Sequence, residues 1–266
     1  MKHLINDKIL LQAPHSCEAM TAVTDLCTDM TGTITQDRMT VISGLVGTAT
    51  TFHSDGHAIG YARGEGQPPL SRRSVDLQAL DRCLSPAVQR IFNETITLTC
   101  VAIQDIDPNT GDTIFVGSAT EVALLHFAKE LQWPDFQSTR NNVQILEIIP
   151  FSSSRMASGA FVDLGEGRRR LYLKGASEVL SGKCTQHVLI DEDAGVEIQT
   201  SPIDHSAESA INQSIASYAE QGLRTISLCY RDFDSWPPDG LWHDRYEVDV
   251  SSGTVTKESV LTLVLD

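Results

Sequence analysis

Cys27-Thr28-Asp29-Met30-Thr31-Gly32-Thr33-Ile34-Thr35, followed by Gln36-Asp37-Arg38-Met39-Thr40-Val41, is the stretch from which the rest of the chain can be read. Apolar and β-branched residues from Val23 to Cys27 predict a short buried strand that delivers Asp29. Thr31-Gly32-Thr33 then predicts a tight turn with backbone amides and hydroxyls near the carboxylate, and Gly32 lets the backbone come close to a phosphate. A carboxylate nucleophile splits a hard phosphoryl transfer into two easier steps through an aspartyl phosphate. That chemistry needs a metal ion and donors to hold the charge of the transferring group. The plain alternative is an Asp-x-Thr-Gly-Thr turn with no chemistry, and these five residues alone do not decide between the two.

The chain has 266 residues, enough to bury a core and to form one or two domains. Its 41% apolar and 21% charged residues are those of an ordinary globular protein. A net charge of −15 argues against nucleic acid or an anionic membrane surface as the main partner. The six cysteines (Cys17, Cys27, Cys83, Cys100, Cys184, Cys229) show no C-x-x-C spacing, which argues against zinc and against a disulfide framework. They read as free thiols of a reducing compartment. The N-terminus shows no signal peptide. No apolar run approaches the roughly 20 residues that span a bilayer, so no membrane insertion by this chain is expected.

Working outward, residues 1–20 carry a helical pattern broken at Ala13-Pro14-His15, and 36–50 read as an extended connection into a new domain. Residues 54–75 suit a surface loop and 76–94 a helix, while Thr95 to Ile103 reads equally as a strand or a buried helical segment. A strand over Thr113–Gly117, a helix opening at Ser118 and a strand over 142–151 follow. Gly165-Glu166-Gly167 predicts a hairpin between Ala157–Leu164 and Arg169–Lys174, and a short helix begins at Ser177. A second hairpin around Asp191-Glu192-Asp193-Ala194-Gly195, a helix over 205–221 stopped by Gly222, and a strand over Arg224–Phe233 complete the main body. Trp236-Pro237-Pro238-Asp239-Gly240 reads as a turn and Val260–Leu265 as a closing strand.

Asp29 and its flanks resemble the phosphorylation motif of P-type cation-transporting ATPases, D-K-T-G-T-[LI]-T, with its Q-N-x-M-x-V tail and with Met30 in place of the lysine. Cys17-Glu18-Ala19-Met20 is similar to the C-E-x-M that leads into it in calcium pumps. The resemblance implies that Asp29 accepts the γ-phosphoryl group of ATP, that Thr31 turns a carbonyl toward Mg²⁺ beside Asp29, and that Thr33 supplies a hydroxyl.

Four more segments resemble the nucleotide-binding domain of the same family, in the same order. Gly117-Ser118-Ala119-Thr120-Glu121-Val122-Ala123-Leu124 implies that Glu121 takes the adenine amino group, although a carboxylate at a helix start is also favoured by the helix dipole. Pro150-Phe151-Ser152-Ser153-Ser154-Arg155-Met156 implies that the Phe151 ring stacks on adenine and that Arg155 lies in the pocket. The family's lysine after that arginine is Met156, which can neither donate a hydrogen bond nor carry charge, so nucleotide affinity is expected to fall. Lys174-Gly175-Ala176-Ser177-Glu178 is similar to K-G-A-[PS]-E. It implies that Lys174 stands at the pocket floor beside adenine, with Gly175 admitting the ligand to the backbone. Gln221-Gly222-Leu223-Arg224-Thr225-Ile226-Ser227-Leu228 implies that Arg224 contacts the ATP phosphates. The wording is closest to the fungal vacuolar and plasma-membrane calcium-transporting branch.

The implied architecture is α/β: a partial, haloacid-dehalogenase-like phosphorylation domain over 1–38, a nucleotide-binding domain over 39–258 with a mainly antiparallel sheet flanked by helices, and a returning strand over 259–266. The family's G-D-G-x-N-D, which completes its Mg²⁺ site, is not found in these residues, so the Mg²⁺ site is expected to be incomplete. The expectation is therefore a truncated P-type ATPase-like protein that binds ATP or ADP and transports no ion alone. The alternatives are a cytoplasmic fragment of a longer calcium pump at the vacuolar or plasma membrane, and a non-catalytic module that regulates an intact pump. A haloacid-dehalogenase-like phosphatase is disfavoured, because the acid/base aspartate of that chemistry, two residues after the nucleophile, is Thr31 here.

Overall fold

The computed structural model describes residues 23–25, 27–29, 33–35, 38–54, 73–108, 111–190 and 198–234. The helix expected over 1–20, the motif residues Met30, Thr31 and Gly32, and most of the expected 54–75 loop lie outside them. So do the turn residues 191–195, the turn at 236–240 and the closing strand within 259–266.

The chain divides into two compact units, Met1–Arg38 and Met39–Asp266. In the first, every described residue is exposed, and none lies in a helix or strand. The buried strand expected over Val23–Cys27 is therefore corrected: its described residues, 23–25 and 27, are exposed and irregular. A strand is held by a neighbour that takes up its backbone donors and acceptors. Among the described residues of this unit nothing pairs with the segment.

The second unit runs β1 (Ser43–Val46), β2 (Thr50–His53), β3 (Arg73–Asp76), α1 (Leu77–Cys83), α2 (Pro86–Thr99), β4 (Ile103–Ile106), β5 (Thr113–Val116), α3 (Ala119–Glu130) and α4 (Phe136–Asn141). It continues β6 (Gln144–Ser152), β7 (Ala157–Gly165), β8 (Arg168–Ala176), α5 (Ser177–Leu180), a 3₁₀ turn (Ser181–Lys183), β9 (Gln186–Val188), β10 (Thr200–Pro202), α6 (His205–Glu220) and β11 (Ile226–Phe233). It is a mixed α/β fold whose main sheet is antiparallel, in the order β11-β8-β7-β6, flanked by helices. β1, β2 and β3 form a smaller sheet in which β2 and β3 run parallel, and β4 with β5, and β9 with β10, are antiparallel pairs.

Local chemistry places these elements. The expected hairpin between β7 and β8 turns at Gly165-Glu166-Gly167, all three with positive φ. The Asp204 carboxylate accepts from Ala207 N at 2.7 Å to start α6, and Gly222, at φ +71°, lets Leu223 N return to the Tyr218 carbonyl at its end. The helix expected over 76–94 is two helices. Pro86 starts the second, with Ser85 capping it through Val88 N.

Each strand of the main sheet presents alternate residues to its two faces. On one face Ala160, Val162 and Tyr172 pack with Ile91 and Leu98 of α2. Beyond α2 lies a larger core that includes Leu80, Ile96, Leu125 and an aromatic group of Phe52, Phe92, Phe127 and Trp133, with ring centroids 5.1–5.9 Å apart. On the other face Ala157, Phe161, Leu171, Leu173 and Phe233 pack with Leu180 of α5.

Candidate functional site

Three segments meet at the Lys174 side chain. β8 alternates, so that Leu173 joins the α5 face while Lys174, like Tyr172, projects to the α2 face. There Lys174 Nζ lies 3.0 Å from Glu121 Oε1 and 3.1 Å from the Sγ of Cys100, the residue that ends α2. Both ends of the ion pair are buried: the side chains are 7% and 11% exposed. Glu121 stands in the first turn of α3. Ser118 Oγ accepts from Glu121 N there, which completes the cap, yet the Glu121 carboxylate turns to Val101 N at 3.3 Å and to Lys174. Among the described residues the second oxygen, Oε2, is buried with no hydrogen-bond partner. A buried carboxylate oxygen in that state is an acceptor awaiting a donor. Burial pushes the Cys100 thiol up, which keeps it neutral beside the ammonium.

Register places the other residues expected at the nucleotide at the same end of the main sheet. Ser152, Ala157, Gly175 and Ser227 are partners across β6, β7, β8 and β11. Phe151 precedes that row on β6 and is 62% exposed, a large aromatic ring left to solvent. Met156 lies in the turn between β6 and β7, exposed and at φ +53°, a conformation uncommon for a side-chain-bearing residue. Arg155, in the same turn, donates to the Pro150 carbonyl at 2.9 Å, and its buried Nε has no partner among the described residues. Arg224, exposed just before β11, brings Nη1 to 3.4 Å from Thr120 Oγ1. Arg224 and Lys174 thus reach the same first turn of α3.

Gly175 has a packing reason for being glycine beside the one the resemblance implies. A Cβ there would lie 2.5 Å from the Met156 carbonyl oxygen and 2.8 Å from Ala157 Cβ. The room is taken by β7 and its turn. Gly175→Ala is therefore expected to destabilise the chain by about 1–2 kcal/mol through overpacking, read in a urea melt. An unchanged melt would mean that β7 yields freely and that the close approach is not needed.

Asp29 and Thr33 are both exposed and belong to the first unit, where Thr28 Oγ1 donates to the Asp29 carbonyl at 3.0 Å. Of the expected metal pair only Asp29 is described, and among the described residues no three His, Cys, Asp or Glu side chains converge as a metal site would require. Two neighbours of the site were not singled out from sequence. Cys100 was read as one thiol among six, and Arg140 donates to the Cys100 carbonyl at 3.0 Å, tying down the end of α2. Neither carries a motif signal: both act through a helix end whose position the sequence left open.

Residues 89–264 match the family described as P-type ATPase, cytoplasmic domain N. The chain is 40% identical to Calcium-transporting ATPase 2 of Cryptococcus neoformans var. grubii, over 99% of this chain and 19% of that protein. It is 34% identical to Calcium-transporting ATPase 2 of Schizosaccharomyces pombe, over 88% of this chain and 18% of the relative. With Calcium-transporting ATPase 4, plasma membrane-type, of Arabidopsis thaliana it shares 30% identity over 90% of this chain and 21% of the relative. It spans about a fifth of the length of these relatives. Among the described residues no helix is long and apolar enough to cross a membrane.

Proposed function

The chain belongs to the P-type ATPases, matching their cytoplasmic domain N, and from that premise we propose that it binds ATP or ADP at the Lys174 end of its main sheet, as the nucleotide-binding part of a calcium-transporting ATPase. The observation that carries this reading is the buried Lys174–Glu121 pair with Glu121 Oε2 unpartnered among the described residues, beside a sheet end that leaves Phe151 exposed. Adenine matches that set. Its exocyclic amino group donates where Glu121 Oε2 accepts, its ring nitrogens accept where an ammonium donates, and its face stacks on a phenyl ring. Arg224 extends from the first turn of α3 as the donor for phosphate oxygens. Arg155, occupied with Pro150, is assigned to shaping the turn that carries Met156.

Asp29 is the proposed phosphoryl acceptor, with Thr31 and Thr33 of the same motif as its proposed partners, and Mg²⁺ would accompany the nucleotide. The described residues supply too few ligands to build that metal site. Ion transport is named in the relatives. In this proposal it belongs to proteins of their length, at the cytoplasmic face of whose membrane these residues would work.

Calorimetric titration of the folded chain with Mg-ATP and ADP tests the reading. Saturable binding is expected. Phe151→Ala should weaken it by about 5- to 150-fold, since base stacking contributes about 1–3 kcal/mol. Its melting temperature should hardly change, the ring being largely in water. Met156→Lys should tighten binding by about 3- to 10-fold through one new charge-assisted contact. Absence of saturable heat at millimolar nucleotide from a chain shown to be folded would overturn the proposal.

A further inference from the structure

Away from the nucleotide site, on the opposite face of the main sheet, two cysteines 45 positions apart in sequence meet: Cys184 Sγ and Cys229 Sγ are 3.4 Å apart. Cys229 lies in β11 opposite Leu173 of β8, and it packs against the group formed by Leu173, Leu180 and Phe233. Cys184 ends the 3₁₀ turn that follows α5, and its thiol donates to the Leu180 carbonyl at 3.2 Å. Both thiols are free, and both residues are partly exposed. The remaining described cysteines differ. Cys83 and Cys100 are buried and Cys27 is in the first unit.

We propose that Cys184 and Cys229 are a redox-active dithiol that closes to an intramolecular disulfide when the chain meets a hydroperoxide. The sulfur atoms are already in contact, and bonding requires them to approach from 3.4 Å to about 2.05 Å. Cys184 is the attacking sulfur. It leaves the end of a short turn, whereas Cys229 is fixed within β11. The hydrogen bond from Cys229 holds the Cys184 thiol below the usual range, and the same bond together with burial pushes Cys229 up.

In the first step the Cys184 thiolate attacks one peroxide oxygen and the O–O bond breaks. Cys184 becomes a sulfenic acid, and the departing hydroxide takes up a proton to leave as water. In the second step Cys229 Sγ attacks the Cys184 sulfur. The S–S bond forms, the S–O bond breaks, and the hydroxide leaves with the Cys229 proton as a second water. Two thiols lose two electrons and one peroxide gains them. A thiol reductant reverses the bond. The link would fasten the segment behind Lys174-Gly175-Ala176-Ser177-Glu178 to β11 and close the loop that contains β9, β10 and α6.

The test uses the full chain, reduced and then treated with dilute hydrogen peroxide. Peptide mapping without reductant is expected to give one linked species containing Cys184 and Cys229, lighter by two hydrogens and abolished by dithiothreitol. The melting temperature should rise by about 5–10 °C, because the closed loop constrains the unfolded chain. In Cys229→Ser the link and the rise should vanish, and Cys184 should be trapped by dimedone as the sulfenic acid. Should that variant not fold, the wild-type chain with phenylarsine oxide decides: one arsenical must protect both thiols from alkylation together. A chain in which Cys184 and Cys229 remain separately alkylatable after peroxide, or in which Cys184 proceeds to sulfinic acid without linking, overturns the proposal.

Discussion

Lys174→Met is expected to weaken Mg-ATP binding by about 10- to 100-fold and to cost the fold about 3–5 kcal/mol. The two losses have separate causes. Removing one partner of a buried ion pair leaves the other charge without compensation, and such truncations cost about 3–5 kcal/mol. Here the stranded group would be Glu121, buried in the first turn of α3 with, among the described residues, only Val101 N as a remaining donor. The binding loss comes from the donor itself: a hydrogen bond to a charged group contributes about 1.5–3 kcal/mol, or about 10- to 100-fold. A second substitution separates the causes. Lys174→Met combined with Glu121→Gln removes both charges and keeps an acceptor for Val101 N, so stability should largely return while nucleotide binding should not. Urea melts and calorimetric titrations on the same samples make the comparison. Wild-type affinity in folded Lys174→Met would remove the pocket floor from the proposed function.

The pair shows what could be read from sequence and what could not. The resemblance implied that Lys174 and Glu121 each stand beside adenine; that they pair with each other, at 3.0 Å, is read only from the structure. The hairpin at Gly165-Glu166-Gly167 and the stop at Gly222 were legible because positive φ leaves a local chemical signature. Thr95-Ile96-Thr97-Leu98-Thr99 left two readings open for a physical reason. Its strict alternation and β-branching are those of a strand, yet it continues α2. Thr95 Oγ1 and Thr99 Oγ1 donate to the carbonyls of Ile91 and Thr95, four residues back, at 2.7 and 2.6 Å. All five residues are buried, so alternation no longer reports a wet and a dry face. That ambiguity also hid Cys100, whose place beside Lys174 depends on where α2 ends. Gly175 was legible as a glycine that must stay glycine, and the neighbouring β7 adds a second cause that the sequence does not show.

Tyr172→Phe is expected to lower stability by about 2–3 kcal/mol at neutral pH and to flatten its fall in alkali. Tyr172, fully buried in β8, donates its hydroxyl to Glu94 Oε2, while Arg90 Nε donates to Glu94 Oε1 at 2.7 Å. Removing the hydroxyl strips one donor from a carboxylate buried on α2, and hydrogen bonds to charged groups contribute about 1.5–3 kcal/mol. Burial first, and then the neighbouring Glu94 charge, push the Tyr172 hydroxyl above its ordinary value of 10. The sign follows from linkage. Below about pH 10 the phenol is protonated in both folded and unfolded chains, and its contribution is fully present. As pH rises further the unfolded chain loses the proton while the folded chain retains it, so stability declines toward the folded pKa. Tyr230, also raised by burial, adds to the same slope, so Tyr172→Phe should reduce it rather than abolish it. Urea melts between pH 8 and pH 11 measure the slope directly. An equal slope in the variant would mean that the Tyr172 hydroxyl does not hold the Glu94 carboxylate, and that α2 is fixed to this face of the sheet by apolar packing.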